Sequence, residues 1–218
     1  MPTLLYYVSA PGAPIGQVEG VCASALKRFE IPGLSACYSE IDLLPQDSAK
    51  LAEEAVRFFQ VQQEGFAAGS IVPFRFPSMF ADEAALRDFL LSQSAELTRA
   101  LVRISAMSQF DIRISTDQPG VTPQSGTEYL RSRASQSAAI AKAESRCRTL
   151  LADIAREWIV RHDSVRTTLH VLVPRSEEQE TADRFRALAP PSDCRLVILG
   201  PWPPGAFVGT DTARANHD

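Results

Sequence analysis

The sequence lacks the residue patterns that organise common catalysis. Its 218 residues include three histidines: His217 near the end, His170 inside an alternating apolar run, and His162 beside Asp163. Only His162 is placed to act freely, and a helix end that favours positive charge accounts for it. No Gly-x-Ser-x-Gly turn exposes a serine nucleophile, and neither the P-loop nor the dinucleotide glycine spacing occurs to cradle phosphate. Cys22, Cys37, Cys147 and Cys194 stand singly, without the spacing of a zinc site or a redox dithiol. They read as small core residues in a reducing cytosol. The acid pairs Glu53-Glu54, Asp82-Glu83 and Glu177-Glu178 fall in early helical turns, where the helix dipole and solvation explain them. An enzyme is therefore not expected, nor a metal, a cofactor or a small-molecule substrate.

Positive charge is also short. With 22 Lys and Arg against 26 Asp and Glu the net charge is −4, so general attraction to nucleic acid or an anionic membrane has no electrostatic basis. No apolar run approaches the roughly 18 residues of a membrane span. The first ten residues carry no base ahead of their apolar stretch, so a signal peptide is not expected. The composition is 45% hydrophobic and 22% charged, which is that of a folded globular protein. The length suits one large domain or two of about 100 residues.

Periodicity then sets out the elements. Residues 3–8 read as a strand. Val18, Val21, Cys22, Ala25, Leu26 and Phe29 recur at helical steps, so a helix is predicted before the turn at Pro32-Gly33. Residues 34–41 read as a strand, 47–66 as a helix with Leu51, Ala55, Phe58, Phe59 and Gln62 or Gln63 on its apolar positions, and 71–76 as a strand. Asp82 caps a helix running to Ile104. Residues 110–115 alternate strictly as a half-buried strand. They carry Asp111 and Ser115 on the polar face, where RNA-binding sheets present bases and aromatics. Residues 116–122 form a turn-rich loop.

Ser125 and Glu128 have capping-box spacing at the start of one long helix through about residue 160. A strand at 167–173, a helix capped by Ser176 and Gln179 through Leu188, and a strand at 195–199 complete the order. The expected fold is α+β, with two small α/β-sandwich domains over 1–106 and 107–208 and a disordered tail over 209–218. The second domain is read as a modified ferredoxin-like fold with a long helix, lacking or altering one strand.

Two stretches remain for function. Gly200-Pro201-Trp202-Pro203-Pro204-Gly205-Ala206-Phe207-Val208 leaves the last strand as a stiff segment, because three prolines remove three amide donors and fix three φ angles. Trp202 and Phe207 either complete the protein's own core or serve as preorganised anchors for a partner. In the second stretch, Val72-Pro73-Phe74-Arg75-Phe76-Pro77-Ser78-Met79-Phe80, Arg75 stands among bulky apolar groups. It is either a buried clamp between domains, needing acceptors to offset its desolvation, or part of a contact surface. The candidate contact or domain-interface residues are thus Arg75, Phe76, Trp202, Pro203, Pro204 and Phe207.

These stretches, with Ser125-Gly126, Tyr129-Leu130 and Arg133 at the opening of the long helix, resemble the gas vesicle protein F/L family over most of the chain. The resemblance implies two α+β domains, the second modified ferredoxin-like. It implies a non-enzymatic accessory role in gas vesicle assembly, in the cytoplasm and at the vesicle, with the shell protein and other accessory proteins as partners. The sequence departs from the family at Gly205-Ala206, where a tyrosine and serine are usual, and at Pro77-Ser78, where Gly-Thr is usual. The first departure removes an aromatic and a hydroxyl from the suspected contact segment, implying altered shell binding. A regulatory or ligand-binding module that kept the fold but lost the vesicle role is the alternative.

Overall fold

A computed structural model describes residues 1–116, 125–163, 166–188 and 194–209. The chain divides into two compact units, Met1–Met107 with the residues from Trp202 on, and Ser108–Pro201.

The first unit is built on a sheet of five strands, β1 (Thr3–Ser9), β2 (Lys27–Ile31), β3 (Leu34–Glu40), β4 (Ile71–Pro73) and β5 (Met79–Phe80). The order is β2-β3-β1-β4, with β5 also on β1. Its helices are α1 (Ser48–Ala68) and α2 (Glu83–Arg103), capped by Asp47 and Asp82 through the amides of Lys50 and Ala85 at 3.0 and 2.8 Å. Register puts the two helices on opposite faces. Phe29, under the Arg87 guanidinium of α2, pairs with Ala36, while Tyr38 on the same face reaches Glu83 at 2.8 Å. Cys37 and Ile41 instead join Phe58 and Val61 of α1. Covered on both sides, β1 is buried along its whole length, which is why its sequence reads as continuous apolar residues rather than alternation.

A bulge between Leu5 and Tyr7 breaks that strand's alternation, so Tyr6 and Tyr7 both enter the α1 cluster. Tyr6 is satisfied there, bonded to Ser39 Oγ at 2.9 Å and accepting from the Val21 amide at 2.8 Å. Tyr7 lies against Gly65, where a Cβ would come within 2.4 Å of the ring. A glycine inside α1 is the cost of the second tyrosine.

The helix expected over residues 18–29 is not formed. Val21–Ala23 makes one 3-10 turn, and Lys27–Ile31 is a strand whose buried Phe29 and Ile31 alternate with exposed Arg28 and Glu30. Pro32 and Gly33 (φ 84°) form the two-residue turn of a hairpin in which Ile31 pairs with Leu34. The strand expected at 71–76 is shorter, ending at Pro73, and β5 follows it.

The second unit holds β6 (Met107–Ser115, entered from the first unit at Met107), α3 (Gly126–Leu150), β7 (Glu157–His162), β8 (Thr167–Pro174), α4 (Glu178–Ala187) and β9 (Arg195–Trp202). Its sheet order is β7-β8-β6-β9. Strand, helix, two strands, helix, strand in that order is the ferredoxin-like arrangement with all four strands present. Phe110, Ile112, Ile114, Leu169, Val171 and Val173 meet Ala143 and Cys147 of α3 and Phe185 of α4 in one core, so both helices cover one face.

The long helix therefore ends ten residues early, and β7 replaces its last turns. Arg184 of α4 donates to the Leu150 carbonyl at 2.9 Å and forks onto Asp153 at 2.6 and 2.8 Å, closing α3 where no glycine or proline stands. His162 accordingly lies at a strand end, within 3.0 Å of Thr167 Oγ1, and not at a helix terminus. Ser125 caps α3 through the Glu128 amide at 3.2 Å. The expected Ser176-Gln179 cap is absent: a 3-10 turn, Arg175–Glu177, leads into α4 with no side-chain cap. The expected loop at 116–122, apart from Thr116, and the tail, apart from Gly209, fall outside the described residues. No described helix is long and apolar enough to cross a membrane.

Candidate functional site

Helix α1 gathers the two stretches that sequence reasoning had singled out separately. From its buried face, Gln62 donates its Nε2 protons to the carbonyls of Tyr6 at 2.8 Å and Phe74 at 2.7 Å, tying the helix to β1 and to the residue just past β4. One turn earlier, Phe58 stacks edge-on with Phe76 at 5.3 Å between ring centres. Phe59, a helical step of about 100° away, cannot share that burial. It stands 38% exposed and meets Trp202 edge-on at 5.1 Å. Val56, on the same side of the helix, is 59% exposed.

Beyond Trp202 the chain packs down. Pro203 and Pro204 are buried, Gly205–Phe207 is a 3-10 turn, and Phe207 is 2% exposed with Val208 buried behind it. A Cβ on Gly205 would lie 3.2 Å from Pro73 Cγ, so the glycine admits this close approach of the segment to β4. At the other end, Gly200 has φ 132°, and a Cβ there would lie 2.8 Å from the Gln109 carbonyl; only glycine fits the exit from β9.

The six candidate residues thus divide. Pro203, Pro204 and Phe207 are packing groups that offer no surface. Trp202 and Phe76 are half-buried, each against a phenylalanine of α1. Arg75 is exposed and makes no ion pair with a described residue, so the buried clamp is not formed; its carbonyl accepts from Ser78 Oγ at 2.6 Å. What sequence reasoning missed is the exposed edge of α1. Val56 and Phe59 stand at a helical spacing offset from the core positions, but the sequence alone groups Phe59 with Phe58 on the helix's apolar positions.

Among the described residues, reactive groups are not concentrated anywhere comparable. Burial pushes the Cys37 thiol up to about 12 and the Cys147 thiol up to about 11, so both stay protonated near neutrality and unfit as nucleophiles. Cys22, expected in the core, is exposed in a left-handed turn with its amide donating to Glu54 at 2.7 Å. In the second unit, His170 Nδ1 lies 2.7 Å from Asp111 on the sheet face away from the helices, with Gln109 beside them. Among the described residues no three His, Cys, Asp or Glu side chains could hold a metal.

No curated protein matches the chain. Solved structures that share its fold include two gas vesicle proteins. The gas vesicle protein GvpF from an Anabaena species superposes with a TM-score of 0.74 at 14% identity, covering 99% of each chain. GvpF from Microcystis aeruginosa gives 0.72 at 16% identity, covering 95% of this chain and 99% of the other. The family model described as gas vesicle synthesis protein GvpL/GvpF matches residues 4–209, and the chain belongs to that family.

Proposed function

We propose that the protein is a non-enzymatic accessory protein of gas vesicle assembly that binds the vesicle shell protein, or other accessory proteins, through the ridge of exposed Val56 and Phe59 with half-buried Trp202. The observation that carries this reading is the ridge. Two large apolar side chains on the solvent side of a helix, buttressed by a tryptophan on a proline-stiffened segment, form an anchor that loses little entropy on binding. The protein acts where vesicles are built. The departure at Gly205-Ala206 begins three residues past Trp202, and its expected effect on binding is through the seating of that tryptophan.

Co-purification with the shell protein tests this. Phe59→Ala and Trp202→Ala variants that keep the wild-type circular dichroism are expected to retain the fold and lose at least about tenfold of the recovered partner, a loss of about 1.4 kcal/mol. Undiminished recovery with both folded variants would remove the ridge from the interface.

A further inference from the structure

Helix α1 carries two apolar seams. One, with Phe58, Gly65 and Phe66, is buried on the sheet. The other runs Ala49, Ala52, Val56 and Phe59 and closes on the polar Gln63, in alternating steps of three and four residues. Ala49, Ala52, Val56 and Phe59 are all exposed, and Gln63 is half-buried. A three-four alternation over two heptads is the spacing at which one helix receives the knobs of another. An extended strand repeats every second residue and would meet such a seam out of step. The small residues at the helix start allow close backbone approach, while Phe59, closed on one side by Trp202, offers the larger contact at the other end.

Charge on the flank narrows the partner. Glu53 and Glu64 are exposed beside the seam, Lys50 is exposed at its small-residue end, and Arg57 is engaged by Glu54 and Glu19 at 3.8 and 3.9 Å. From Glu53 to Glu64 the flank is therefore acidic, and a helix bringing basic residues alongside its apolar seam complements it there.

We propose that the occupant of this second seam is an amphipathic helix of a partner protein, with basic residues flanking its apolar stripe. The proposal rests on the reading of the ridge as an interface but does not depend on which protein supplies the helix. Photo-crosslinking amino acids placed singly at positions 52, 56, 59 and 63 of the full chain, in cells that make it natively, test it by mapping the captured partner residues. Positions 52 and 63 lie about 16 Å apart along α1. A partner helix yields crosslinks spread over about 11 of its residues at three- and four-residue steps, whereas a strand spans that distance in about five.

The expected result is the helical ladder on a segment with flanking Lys or Arg, and a fall in crosslinking at 59 of at least about tenfold in Glu53→Lys/Glu64→Lys. A strand-like ladder, crosslinks to α1 of a second copy, or no crosslink from 56 and 59 overturns it. A helical ladder on a protein unrelated to gas vesicles upholds it and instead removes the proposed function.

Discussion

Phe207 and Trp202 lie five residues apart on one segment, yet they do different work. At 2% exposure Phe207 is a core residue, and Phe207→Ala is expected to cost about 3–5 kcal/mol, measured by urea titration. Val56→Ala, on the open ridge, should change stability by no more than about 0.5 kcal/mol. A binding defect in the first variant would report unfolding, and only the second leaves the fold as a control. Gly65 shows the same logic inside a helix. Alanine is intrinsically the better helix former by about 1 kcal/mol, but its Cβ would stand 2.4 Å from Tyr7 Cζ. Gly65→Ala should therefore lower stability by about 1–2 kcal/mol, overpacking outweighing propensity. A rise in Tm would show that the bulge of β1 lets Tyr7 move aside.

Elements were legible in the sequence where their signals were local. α1 and α2 begin at aspartates that bond the third amide onward, and their apolar periods run uninterrupted. β2 and β7 were not legible, because Phe29 and Trp158 each continue a helical spacing begun upstream. What decides against the helix is tertiary: the Pro32-Gly33 hairpin pairs β2 with β3, and Arg184, thirty-four residues away, closes α3. The site followed the same division, since the proline segment and Arg75-Phe76 were readable as motifs while their assembly around α1, and the exposed side of that helix, needed the fold.

The closure of α3 carries a pH signature. The Arg184 fork beside Asp153 holds that carboxyl below its ordinary value. A folded value below the unfolded one, about 3.9, gives a contribution fully present above that pH and lost as pH falls through the folded value. Arg184→Ala is thus expected to lower Tm at neutral pH, with a gap that narrows as pH falls below about 4 through the folded value and keeps only the part due to the Leu150 carbonyl. A gap unchanged into acid would assign the Arg184 effect to the Leu150 carbonyl alone.

At the scale of the whole molecule, the first unit is discontinuous in sequence. Its first 107 residues supply the sheet and both helices, but Phe207 and Val208, which arrive after the second unit, are among its buried apolar groups. The second unit, Ser108–Pro201, holds its four strands and two helices in one stretch. The two should therefore respond differently to excision. A fragment of residues 108–201 is expected to unfold cooperatively on its own. A fragment of residues 1–107 lacks the segment that covers Phe59 with Trp202 and fills the site of Phe207, so it should be molten or aggregate. Joining residues 202–209 to residue 107 through a flexible linker of sufficient reach should restore a cooperative transition. A Phe207→Ala version of that fusion should lose most of the gain. Cooperative unfolding of residues 1–107 alone, at the stability of the fusion, would show that the proline segment is only seated on a finished unit, and the anchoring of Trp202 would then have to come from the strand it leaves.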